Sequence, residues 1–203
     1  MSELKELASQ LEEFIPPPAC ELVAGFLIKK NAQLTISRSR KSKLGDYRPP
    51  QRYKYHRVSV NGDLNPFAFL LVTIHEFAHL LVWNNHKNKV KAHGKEWKMH
   101  YRQLYQRFEH FFPENIQVIL QDHFKNLTAA TLNNPMLIRN LIHMDSDIEI
   151  TMVNDLQKGD VFDFNDKIFK IIEKRRTRYL CKNIDSGKKY LVSGVTIVNR
   201  VNE

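Results

Sequence analysis

Residues 75–79 read His75-Glu76-Phe77-Ala78-His79, a grouping of side chains that bind and use divalent metals. On an α-helix, positions i and i+4 share a face, so the two imidazoles can converge on a single ion. Glu76 then stands beside that ion, where it can take a proton from a water held there. The chemistry implied is hydrolysis assisted by one zinc ion (Zn2+). Three protein ligands and an open position bring the pKa of a zinc water to about 7 and let the ion polarise a carbonyl.

A third ligand has to come from elsewhere. His79, His86, His93 and His100 recur every seven residues. On one unbroken helix that step advances about 10.5 Å along the axis, so the four could form a stripe but not close on one ion. Asn84-Asn85 and Gly94 predict a break and a return of the chain. This favours His93, at the start of the next helix, with His86, His100 and Glu96 as alternatives. The metzincin spacing fails, because Val82 stands where that pattern needs glycine.

The element that must carry the pair is well marked. Asn65 can cap a helix start and Pro66 suits its first position. Phe67–Trp83 is apolar on nearly every side, which predicts a central core helix ended by Asn84-Asn85. The stretch is long enough to ask about a membrane, but His75 and Glu76 at its middle argue for burial in protein. Two histidines and a glutamate in such a helix are costly unless something satisfies them.

Upstream, Leu4, Leu7, Leu11 and Phe14 predict an amphipathic helix that Pro16-Pro17-Pro18 must end, followed by a second helix over 20–28. Alternation predicts strands at 33–40 and 53–60 around a loop at 41–51, and the strand before the motif helix can offer an edge to an extended peptide. Downstream, helices are predicted from Gly94, over 113–127, and more weakly over 133–144. From about residue 148 the period becomes two, with short strands near 161–164, 168–172, 179–181, 190–192 and 195–198. The fold class is therefore α+β. A zincin-like helical metallopeptidase core with a short sheet occupies 1–145, and a small β-barrel-like module occupies 146–203.

The net charge of +9 is concentrated. Residues 29–57 hold ten Lys and Arg against Asp46 alone, a surplus equal to that of the whole chain. Such a block implies a polyanionic partner. The residues expected to contact nucleic acid are Arg38, Arg40, Lys41, Lys43, Arg48, Arg52, Lys54 and Arg57, with Tyr47, Tyr53 and Tyr55 available to stack on bases. A second basic group, Arg175, Arg176 and Arg178, falls in the β-rich tail. Trp97, Tyr101 and Phe108 recur at helical spacing and are expected in the core. Cys20 and Cys181 are too few for a four-cysteine zinc site and give no disulfide framework, which points to a reducing cytoplasm, with nucleoid association if DNA is bound. No secretory h-region is visible at the N-terminus.

HEFAHLLVWNN at 75–85, the basic loop after it, HGKEW at 93–97 and LTISRSRKSKLG at 34–45 together resemble the SprT-like (SprT/Spartan-type) family of zinc metallopeptidases. The resemblance covers residues 1 to about 125. It implies His75, His79 and His93 as zinc ligands, Glu76 as catalytic acid/base, and proteins trapped on DNA as the substrate class. The chain departs from the family further on, where many bacterial members end in a four-cysteine zinc ribbon. Here only Cys181 stands in that region, so the basic β-rich tail is the candidate DNA-docking module. Two rival readings are a DNA-binding protein with a structural zinc, and a zinc hydrolase of another amide or ester.

Overall fold

A computed structural model describes residues 2–201 except 41–42, 129–131, 133, 144–149 and 177, and for 142 and 143 only the backbone. It divides into two compact units, Met1–Leu132 and Asn133–Glu203.

The first unit opens with α1 (Glu3–Leu11), which buries Ala8 and Leu11. The proline run forms a short 3-10 turn at Pro17–Ala19, and α2 (Cys20–Lys29) follows directly. Three strands come next: β1 (Ala32–Ser37), β2 (Gly45–Arg48) and β3 (His56–Asn61). The sheet order is β1-β3-β2, with β1 parallel and β2 antiparallel to β3. The expected loop over 41–51 thus contains a strand. Gly-Asp-Tyr-Arg has no alternating apolar face, so only its pairing with β3 identifies it. The strand directly before the motif helix, β3, is central, so the outer strand nearest that helix in sequence is β2 instead.

Helix α3 (Pro66–His86) starts as its sequence predicts, with the Asn65 side chain accepting from the Phe67 N–H at 2.9 Å. It runs on through Asn84-Asn85 rather than breaking there. Asn84 bonds His56 and Asn85 Nδ2 lies 3.1 Å from His100 Nε2, so both amide side chains are tied to neighbouring elements instead of competing for their own backbone. The stop comes at Lys87, in the left-handed region (φ 53°), whose N–H bonds the Trp83 carbonyl. By length and composition α3 would serve as a membrane span, but thirteen of its 21 residues are buried within the fold.

After the basic loop come α4 (Lys95–Phe108), a 3-10 turn and α5 (Glu114–Lys125). Trp97, Tyr101, Leu104, Tyr105 and Phe108 form the buried stripe of α4, as their spacing predicts.

The second unit comprises α6 (Pro135–His143) and strands β4 (Thr151–Met152), β5 (Val161–Asp163), β6 (Ile168–Arg175), β7 (Arg178–Asn183), β8 (Lys189–Ser193) and β9 (Ile197–Val201). Its sheet is antiparallel, in the order β4-β9-β5-β6-β7-β8. The expected barrel is not closed: among the described residues the terminal strands β4 and β8 do not pair with each other. Phe162, Phe169, Ile171, Tyr179, Cys181 and Val198 fill its core. Asn165 and Asp166 take positive φ (53° and 57°) in the β5–β6 turn, the conformation that short Asx-rich hairpin turns require.

Candidate metal centre

His75 and His79 project from one face of α3, and His93 is brought to them at the end of the basic loop, just before α4. The three Nε2 atoms form a nearly equilateral triangle. His75 and His79 are 3.2 Å apart, His79 and His93 3.0 Å, and His93 and His75 3.3 Å. Three nitrogens held tetrahedrally at about 2.0–2.1 Å from one zinc would lie about 3.3–3.4 Å apart, so the donor set fits such an ion closely. Three imidazole nitrogens this close cannot satisfy one another by hydrogen bonds, because each can offer only a proton or a lone pair. A shared cation resolves that conflict. Among the described residues these three form the group able to hold a metal, and His86, His100 and Glu96 are not part of it.

The surroundings keep the ligands neutral. Burial, with the neighbouring His79 and His93, pushes His75 down to about 2, and burial beside His93 pushes His79 down to about 4. Burial also lowers His93, although its side chain lies on the solvent side of the cluster. Neutral imidazoles keep the lone pairs that a metal needs.

Trp97 is the floor of the site. It is wholly buried, with its ring centroid 4.7 Å from that of His75, 5.6 Å from His79 and 4.7 Å from His93. Its indole N–H donates to the His75 carbonyl at 3.4 Å, and Tyr101 beneath it donates to the Leu71 carbonyl at 3.3 Å. The core reading of Trp97 and Tyr101 is right, and that core is what fixes the imidazoles.

Glu76 is 6% exposed. Burial, reinforced by Asp46, pushes its carboxyl up to about 8, against the opposing pull of Arg40, Lys43 and a hydrogen bond from the Tyr47 backbone N–H. The sequence offered no sign of that strand contact. Tyr47 itself, expected as a base-stacking residue, is half-buried. Its hydroxyl is 2.8 Å from His56 Nδ1, and its ring lies parallel to that of His79, with centroids 6.5 Å apart.

The basic residues separate into bound and free. Arg40 is fully engaged: its Nε donates to Asn61 Oδ1 at 2.8 Å, Nη1 to Ser59 Oγ at 3.0 Å, and Nη2 to the Leu44 and Ser59 carbonyls. Lys43 and Arg48 both pair with Asp46 at 2.8 Å. Arg57 lies over the Tyr53 ring at 4.4 Å, and its Nε is buried with no hydrogen-bond partner among the described residues. Arg38, Arg52 and Lys54 are exposed, whereas Lys41 lies outside the described residues. In the second unit, Arg175 pairs with Glu173 at 2.7 Å, and Arg176 and Arg178 are exposed around the β6–β7 turn.

Three imidazole nitrogens at this spacing form a group able to hold a metal ion, and the helix that carries two of them also carries the buried Glu76. Residues 24–118 match the SprT-like family. The matched stretch contains His75, Glu76, His79 and His93 together, while α1, expected within the resemblance, lies outside it. No curated protein and no solved structure matches the chain.

Proposed function

We propose that the protein is a zinc-dependent endopeptidase of the HExxH type, acting on proteins associated with or crosslinked to DNA. The observation that carries this reading is the triangle of three neutral imidazole nitrogens, 3.0–3.3 Å on a side, with a buried carboxylate on the residue next to His75. A divalent ion held there supplies Lewis acidity, polarising a peptide carbonyl and making a water more acidic.

The remaining work falls to this chain's own groups. Glu76 accepts the proton of the attacking water at a carboxylate oxygen and returns it to the leaving amine nitrogen. Trp97 holds the three imidazoles in place and excludes water from their rear. His93 borders solvent, so an extended polypeptide can reach the cluster from that side.

DNA is proposed as a partner on charge. The exposed Arg38, Arg52 and Lys54 offer sites for phosphate, as does Arg57 at a cavity of about 180 Å³ that the already engaged Arg40 and Arg48 also line. The buried Nε of Arg57, a residue lining this cavity, has no partner among the described residues and calls for an acceptor. Arg175, Arg176 and Arg178 are a second proposed contact. Two buried free cysteines suit the cytoplasmic location proposed with this reading.

The test is cleavage of casein and histone by zinc-loaded protein, with and without single- or double-stranded DNA, beside Glu76→Gln. Cleavage by wild type and none by the metal-replete variant supports the peptidase. Wild type that binds zinc and DNA but cleaves neither protein supports a structural zinc. Turnover confined to small ester or amide substrates supports a different hydrolase.

A further inference from the structure

Glu76 is approached from the sheet by the backbone of β2, at closer range than a side chain would allow. A Cβ added at Gly45 would fall 2.5 Å from Glu76 Oε1, 2.9 Å from Glu76 Cγ and 2.7 Å from Val72 Cγ1. Gly45 is not among the residues with positive φ, so its backbone does not demand glycine. The demand is for space.

Neither side can retreat. On the sheet side, β2 is paired to β3 with Gly45 opposite Val60 and Tyr47 opposite Val58. Arg40 braces the strand's entry by bonding the Leu44 carbonyl together with Ser59 and Asn61. On the helix side, Glu76 belongs to a turn of α3 whose residues Val72 to Ala78 are all buried.

The close approach has a consequence at Tyr47. The Leu44 carbonyl accepts from the Asn61 N–H, so this strand turns its even-numbered groups toward β3 and its odd-numbered groups toward the open edge. The Tyr47 N–H therefore points away from the sheet, where the Glu76 carboxylate accepts it.

We infer that Gly45 and the Tyr47 N–H together form the device that positions Glu76. The missing side chain at 45 lets the strand edge reach the carboxylate, and the amide then fixes its orientation. Gly45 is a positioning residue, acting through Glu76. The inference rests on the reading of Glu76 as the proton carrier, but its structural half can be measured without any turnover. It also gives Arg40 a role, bracing this strand, in place of the phosphate contact expected from its charge.

The experiment follows amide hydrogen exchange by NMR in the zinc-loaded full chain, as wild type, Gly45→Ala and Glu76→Ala. The Tyr47 amide should be protected in wild type although it lies on a sheet edge. It should exchange at least about tenfold faster in both variants, while the Val58 and Val60 amides of β3 stay unchanged. With casein, Gly45→Ala should lose about 100-fold in kcat, keep KM within about twofold and retain its zinc, the pattern of a carboxylate displaced by about an ångström.

Unchanged Tyr47 exchange in Glu76→Ala, or an unaltered kcat in Gly45→Ala, overturns the inference. If Gly45→Ala does not fold, Glu76→Ala decides alone, since it removes the acceptor without adding an atom. A wild type that protects Tyr47 through Glu76 yet cleaves no protein supports the positioning and rejects the peptidase.

Discussion

Replacing Trp97 by alanine should damage stability and metal affinity together, because one buried indole supports all three imidazoles. Its ring lies 4.7–5.6 Å from each of theirs and 4.8 Å from that of Tyr101. Removing a fully buried aromatic costs about 3–5 kcal/mol, and burial of about 150–250 Å² at about 25 cal/mol per Å² gives a similar or slightly larger figure. For a unit of this size, 1–132, each kcal/mol lowers the melting temperature by about 3 °C, so the metal-free variant should melt about 10–15 °C below wild type. The cavity also frees the rings to turn, and loss of such a support typically weakens metal binding by about 10–100-fold. Trp97→Phe keeps a ring against the histidines and should lose less than half as much on both scales. Calorimetry of the metal-free proteins and zinc competition against a chromophoric chelator read the two effects. A Trp97→Ala protein that melts within about 3 °C of wild type, or binds zinc equally well, would refute the claim that this indole holds the site.

Further expectations concern Glu76 and the basic segment. Glu76→Gln should retain zinc but lose about 10²–10⁴-fold in proteolysis, and an active variant would remove Glu76 from the chemistry. In the metal-free protein, burial raises this carboxyl from its ordinary 4.5 to about 8. Its contribution to stability is full below pH 4.5 and is lost as pH rises toward 8, because the unfolded chain releases a proton that the folded one retains. Metal-free Glu76→Gln, which stays neutral, should therefore match wild type in stability near pH 4.5 and exceed it near pH 8.5. Melting curves at the two values check this, and a difference independent of pH contradicts it. Arg40→Ala should lower stability by about 2–3 kcal/mol in urea unfolding, since its charged hydrogen bonds join the entry of β2 to β3. Arg38→Ala, on an exposed residue, should stay within about 0.5 kcal/mol, and equal costs would argue against the brace.

The parts of this protein that could be read from its sequence are those set by local period. The helical repeat placed His75 and His79 on one face, Asn65-Pro66 marked the start of α3, and the stripe from Trp97 to Phe108 announced a buried helix face. His93 was accessible only through the argument that the chain must return, because its distance from His79 depends on the path of the loop. Features created by proximity were hidden. The strand Gly45–Arg48 carries no apolar alternation, and the empty space at Gly45 matters only because Glu76 fills it. Asn84 and Asn85 signalled a break because their partners, His56 and His100, come from elsewhere in the fold. Charge was equally mute about structure: Arg40 and Arg38 look alike in sequence, yet one is held by four hydrogen-bond acceptor contacts and the other lies open.

The most direct test is a calorimetric zinc titration of the metal-free chain, run on wild type and on His93→Ala. Wild type should bind a single ion tightly, and the loss of the ligand brought in by the loop should weaken binding by at least about 100-fold, beyond what support residues typically cost. A wild type that takes up no zinc, or a variant that binds it as tightly as wild type, would contradict the three-imidazole centre.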